Sequence, residues 1–182
     1  MAKILRQYFF CGGALIASRW VLTSASCMFN DPATGTQQYT ADELKIVLGE
    51  HNTNSSSLSQ IPRKVVAVSK IITHPSYFAS IFNNDIALIQ LSEEVDLNIY
   101  TPSCIAMTSE NFEGQKAWVY GEKILILIKY INHFEGWGTT SFGGSTSEKL
   151  FEVEVPVVSN AVCNLAMSIN VSFNHKILAY PN

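Results

Sequence analysis

An all-β fold, barrel or sandwich, follows from three features of this 182-residue sequence. Short runs rich in β-branched and aromatic residues recur along it, polar turns separate them, and no long stretch carries helical periodicity. Chains of many short strands close into barrels or stack as sandwiches.

In order, the strand-like runs lie at residues 13–16, 20–23, 44–49, 64–72, 85–91, 117–120 and 150–157. Alternation is clearest in Phe151-Glu152-Val153-Glu154-Val155, which reads as a strand with one wet face. Residues 31–42 and 52–60 are rich in Thr, Ser, Asn and Gln and read as polar loops. One helical segment is expected at 159–165, capped by Ser159 or Asn160, with a single helical turn after Thr23. No internal repeat is visible.

Composition narrows the function. A hydrophobic content of 47% with 15% charged residues fits a folded domain. A net charge of -3 without a basic run argues against nucleic acid as a partner. The longest apolar run, residues 124–128, is far too short to cross a bilayer as a helix, so no membrane association is expected. Met1 to Tyr8 lack the basic start, apolar run and cleavage site of a signal peptide.

The stretch FCGGALIASRWVLTSASC, Phe10 to Cys27, resembles the trypsin/chymotrypsin-like serine proteases (peptidase S1), where it reads CGGxLIxxxWVLTAAHC. Further landmarks follow in order: Leu48-Gly49-Glu50-His51-Asn52, Ile72-Thr73-His74-Pro75-Ser76-Tyr77, Asn84-Asp85-Ile86-Ala87-Leu88, Gly136-Trp137-Gly138 and Val155-Pro156-Val157-Val158-Ser159. The resemblance implies a chymotrypsin-like double six-stranded β-barrel within one domain over 1–182. On this reading residues 8–100 form a nearly complete N-terminal barrel and 113–165 a truncated C-terminal one. It also implies a secreted, extracellular protein and a disulfide between Cys11 and Cys27, the alternative being two buried thiols. Cys104 and Cys163 normally pair in this family with cysteines that have no match here, so both are expected to be unpaired.

Three departures accompany the resemblance. The chain starts at the first barrel's second strand on this reading, and no Ile/Val-Val-Gly-Gly activation sequence is present. An apolar insertion at 122–136 separates Trp118-Val119-Tyr120-Gly121 from Trp137-Gly138, and its in-frame fifteen residues could derive from a retained intron or a lineage-specific loop. Residues 166–182 match nothing in the family, and GDSGGP, which carries the nucleophile, does not occur.

Peptide hydrolysis by this family needs a serine activated by a histidine, with a carboxylate fixing that histidine's tautomer. Asp85 matches the carboxylate position; the alternative is an aspartate making local turn hydrogen bonds. Ser26 stands where the histidine belongs, and a hydroxyl has no usable basicity near neutral pH. His51 and His74 belong to structural landmarks, His133 to the insertion and His175 to the unmatched tail, so none replaces the base and none has metal-ligand spacing. No nucleophile, cofactor or metal is expected. Asn54 and Asn170 satisfy the N-glycosylation pattern. The resulting expectation is a serine endopeptidase by family that is catalytically inactive as written. Two alternatives are a pseudoprotease that binds a protein ligand, protease inhibitor or partner protease, and an incomplete or mis-spliced form of an active secreted protease.

Overall fold

The computed structural model describes residues 1–7, 9–32, 34–50, 61–105, 111–121, 151–159 and 161–162. The insertion at 122–136, the tail at 166–182, Cys163, Asn54, Asn170, His51, His133 and His175 lie outside the described residues. The chain divides into two units, Met1–Ile105 and Ala106–Asn182.

In the first unit eight strands are described: β1 (Ala2–Leu5), β2 (Phe9–Ala17), β3 (Trp20–Thr23), β4 (Phe29–Asp31), β5 (Thr36–Gln38), β6 (Lys45–Leu48), β7 (Lys64–Thr73) and β8 (Ala87–Leu91). Six of them close an antiparallel barrel in the order β1-β2-β3-β8-β7-β6, with β6 pairing back onto β1. A closed barrel removes the exposed edges that an open sheet would leave. The predicted all-β class and six-stranded first barrel are therefore present.

The barrel interior follows from strand alternation. Ile4, Ile46 and Val66 occupy one register row across β1, β6 and β7, and Val21 sits opposite Ile89 across β3 and β8. All five are 0–1% exposed. Met28, Leu44, Leu91 and Tyr100 join the same core. At Gly13 an added Cβ would lie 2.8 Å from Val21 Cγ1 and 3.0 Å from the Leu22 carbonyl oxygen, so β2 and β3 approach too closely there for a side chain.

The barrel starts earlier than the sequence suggested. β1 supplies a wall strand at Ala2–Leu5, ahead of residue 8, and pairs with both β2 and β6. The expected polar loop at 31–42 contains β5, which pairs with β4 just before it, and the Asp31 carboxylate accepts from the Thr34 hydroxyl at 2.7 Å. The turn expected after Thr23 is a 3-10 helix, Ala25–Met28.

In the second unit β9 (Lys116–Gly121) and β10 (Phe151–Pro156) make one antiparallel ladder. Ala161 and Val162 are helical, and the Val162 N–H donates to Ser159 Oγ at 3.2 Å, which identifies Ser159 as the cap. Residues 163–165 of the expected helix lie outside the described residues.

Candidate functional site

Two segments far apart in sequence meet at one end of the barrel wall. Ser26 lies in the 3-10 turn that follows β3, and Asp85 lies two residues before β8, the strand paired with β3. Thr23 lies opposite Ala87, so the register brings the two segments together. The Ser26 backbone N–H donates to Asp85 Oδ1 at 2.7 Å, and the Ser26 hydroxyl donates to Oδ2 at 3.2 Å. Residue 26 thus contacts both carboxylate oxygens.

The turn is held from several sides. Cys27 is disulfide-bonded to Cys11 on β2, across 16 residues of sequence. A loop of that length stabilises the fold by about 3 kcal/mol on the chain-entropy account. Ala25, Ser26 and Met28 are buried, and the Cys27 N–H donates to the Ser24 carbonyl. Thr23 Oγ1 donates to the Gly12 carbonyl at 2.8 Å, tying the end of β3 back to β2.

Tyr77 flanks the pair. Its ring stacks on Phe29 with centroids 5.5 Å apart, and its hydroxyl donates to the Pro32 carbonyl at 3.3 Å. Burial, with the nearby Asp85 carboxylate adding to it, pushes the Tyr77 phenol up to about 12. Sequence reasoning treated Tyr77 only as part of a landmark; its place beside Asp85 depends on the fold bringing β4 and the 77–86 segment together.

His74 makes local contacts: its Nδ1 accepts the Ser76 N–H at 3.1 Å, while its backbone N–H donates to the Ile86 carbonyl. Cys104 is a free, exposed thiol. Among the described residues, no group of three or more His, Cys, Asp or Glu side chains is arranged to hold a metal ion. No helix among them is long and apolar enough to cross a membrane.

The segment around Asp85 also exposes apolar side chains. Phe78, Ile81 and Ile86 are 56%, 64% and 44% exposed. Phe78 and Asn83 form a bridge around the short 3-10 turn Ala79–Ile81, and Phe82 and Asn84 both take left-handed backbone conformations. A bulky residue such as Phe82 rarely adopts that region, so the segment stores backbone strain beside the pair.

A family model described as Trypsin matches residues 1–123. Trypsin I-P1 of Gallus gallus is 31% identical over 176 residues, which is 96% of this chain and 59% of that protein. The venom serine protease Bi-VSP of Bombus ignitus is 33% identical over 159 residues, covering 84% of this chain and 37% of the relative. The serine protease filzig of Drosophila melanogaster is 32% identical over 170 residues, or 92% of this chain and 8% of the relative. The chain thus spans 59% of the length of the chicken trypsin it matches. With the six-stranded barrel, the Cys11–Cys27 disulfide and a family match over most of its length, this chain belongs to the trypsin family.

Proposed function

We propose that this chain is a non-hydrolytic member of the trypsin family, with Asp85 at the triad carboxylate position and Ser26 in place of the general base. The observation that carries this reading is the pair of hydrogen bonds from residue 26 to Asp85. The carboxylate that would orient an imidazole instead receives a backbone N–H and a hydroxyl. A serine hydroxyl does not accept a proton near neutral pH, so it cannot activate a nucleophile. Purified chain is expected to leave fluorogenic peptide substrates uncleaved and to remain unlabelled by a fluorophosphonate probe. Ser26→His alone is expected to stay at background as well, because the 182 residues contain no GDSGGP segment. Turnover by either protein overturns the reading.

A second reading is a binding role for this end of the barrel. The exposed Phe78, Ile81 and Ile86 beside Asp85 support a role as a binding or regulatory module for a protein ligand, a protease inhibitor or a partner protease. The disulfide suits an oxidising compartment, in keeping with secretion as the family practises it. Titration calorimetry against a protein inhibitor of serine proteases tests the binding role: heat that disappears in Phe78→Ser/Ile81→Ser supports it, and no heat with the parent chain excludes that ligand class.

A further inference from the structure

Tyr39, just after β5, is gripped by side chains from elsewhere in the barrel. Arg6, the residue after β1, places its guanidinium carbon 4.7 Å from the centroid of the Tyr39 ring. The same guanidinium donates to Glu43 Oε1 at 2.6 Å. Phe10 on β2 meets the Tyr39 ring in a T-shaped contact, with centroids 5.6 Å apart. Glu43 is itself held in place, since its other oxygen accepts the Thr40 N–H at 2.9 Å and the Thr40 hydroxyl at 3.1 Å.

Tyr39 stands at the base of the β4–β5 hairpin. Its N–H donates to the carbonyl of Met28, the last residue of the 3-10 turn that carries Ser26, at 2.8 Å. Its hydroxyl donates to Asn30 Oδ1 at 3.4 Å, and Asn30 Nδ2 donates to Gln37 Oε1 at 3.0 Å. β5 is exposed at every position, so burial does not hold it. On the other side, Phe29 of β4 stacks on Tyr77, the residue that flanks Asp85. The Arg6–Glu43 ion pair is 43% and 31% exposed and contributes little by itself. A guanidinium over an aromatic ring adds a second attraction, and the Phe10 contact restrains the ring that receives it.

We propose that Arg6 is a clasp which, acting through the Tyr39 ring, holds the β4–β5 hairpin closed as a flap beside the Ser26–Asp85 pair. With the clasp in place, Tyr39 stays bonded to Met28. Once it is released, the hairpin opens at Tyr39 and Phe29 leaves Tyr77. The six-stranded barrel stays closed, because β4 and β5 form a separate sheet and contribute no strand to it.

Native-state amide exchange on the full 182-residue chain, read by mass spectrometry, tests the clasp. The reporters are the Gly35 and Tyr39 amides, which donate to Asp31 and Met28; the barrel controls are Leu91 and Val95, which donate to Arg19 and Ser18. Arg6→Met is expected to speed exchange at the reporters by roughly 10-fold and at the controls by less than about 2-fold. Arg6→Lys, which keeps a cation for the ring, is expected to stay within about 3-fold of the parent. Glu43→Gln, which removes the ion pair and keeps an acceptor for the Thr40 N–H, is expected to do the same. In a Tyr39→Leu background, Arg6→Met is expected to add less than about 2-fold. Unchanged reporters in Arg6→Met, equal acceleration of reporters and controls, or a Glu43→Gln effect as large as that of Arg6→Met overturns the proposal. Should Tyr39→Leu fail to fold, the conservative variant decides: rescue by Arg6→Lys supports the clasp, and Arg6→Lys exchanging as fast as Arg6→Met defeats it.

Discussion

Ser26 meets Asp85 through two hydrogen bonds that differ in kind. The backbone N–H contact, at 2.7 Å, survives any non-proline substitution at residue 26 that keeps the turn. The hydroxyl contact, at 3.2 Å, is the longer one and vanishes with the side chain. Ser26→Ala should therefore cost about 1 kcal/mol, while Asp85→Ala, which strands the Ser26 N–H, should cost about 2 kcal/mol or more. Urea denaturation midpoints for the two variants would measure the difference, and a larger loss in Ser26→Ala would contradict this ranking. Tyr77 reads the same carboxylate electrostatically. Its phenol is raised to about 12 by burial and by Asp85, so between its ordinary value near 10 and about 12 the folded chain holds a proton that the unfolded chain releases. That contribution to stability is fully present below pH 10 and is lost as pH rises through about 12. Asp85→Asn should lower the Tyr77 transition while leaving it above 10, because burial remains; absorbance titration at 295 nm against Tyr77→Phe isolates it. The Ser26–Asp85 pairing could be anticipated because both residues lie in motifs with a known spatial relation. The Tyr77 and Lys3–Glu50 contacts could not, since polar residues distant in sequence give no periodic signal before the fold brings them together.

Strands with apolar alternation were legible, and strands without it were not. β7 and β8 carry Val66, Val68, Ile89 and Leu91 into the core, and their positions follow from the sequence pattern. β5 is Thr36–Gln38, exposed at every position, and is defined by pairing with β4 and not by burial. β1 was hidden for a different reason: Lys3 sits in its centre, and a lysine in a four-residue run argues against a buried strand until Glu50 is seen beside it. Turns show the same division. Gly49 stands in a recognisable motif, yet only the fold reveals that its positive φ and its contact with Pro62 exclude a side chain. Gly49→Ala should destabilise the barrel by about 1–3 kcal/mol, through left-handed strain and the clash with the Pro62 carbonyl. Thermal unfolding monitored by circular dichroism would show it as a lowered midpoint, and an unchanged midpoint would mean that the 61–63 segment moves aside freely.

At the scale of the molecule, the described core belongs to the first unit. Every member of the main buried cluster lies between Ala2 and Tyr100, as do all six barrel strands and both halves of the disulfide. A segment with its own closed sheet, its own core and its own cross-link has what an independent folding unit needs. Residues 1–105, expressed alone under oxidising conditions, should therefore fold, unfold in one cooperative transition, and protect amides in β2, β3, β7 and β8. In the full chain, β9 and β10 should exchange faster than those strands, since among the described residues they pair only with each other and a two-stranded ladder is marginal by itself. The fragment should also be the more soluble of the two, because Ile124-Leu125-Ile126-Leu127-Ile128 has the composition of an aggregation-prone strand and the fragment omits it. Amide exchange and sedimentation of both proteins, run side by side, provide the comparison. An unfolded fragment beside a soluble, uniformly protected full chain would show that the barrel depends on residues after 105 for its stability, and the independence argued from its core would be wrong.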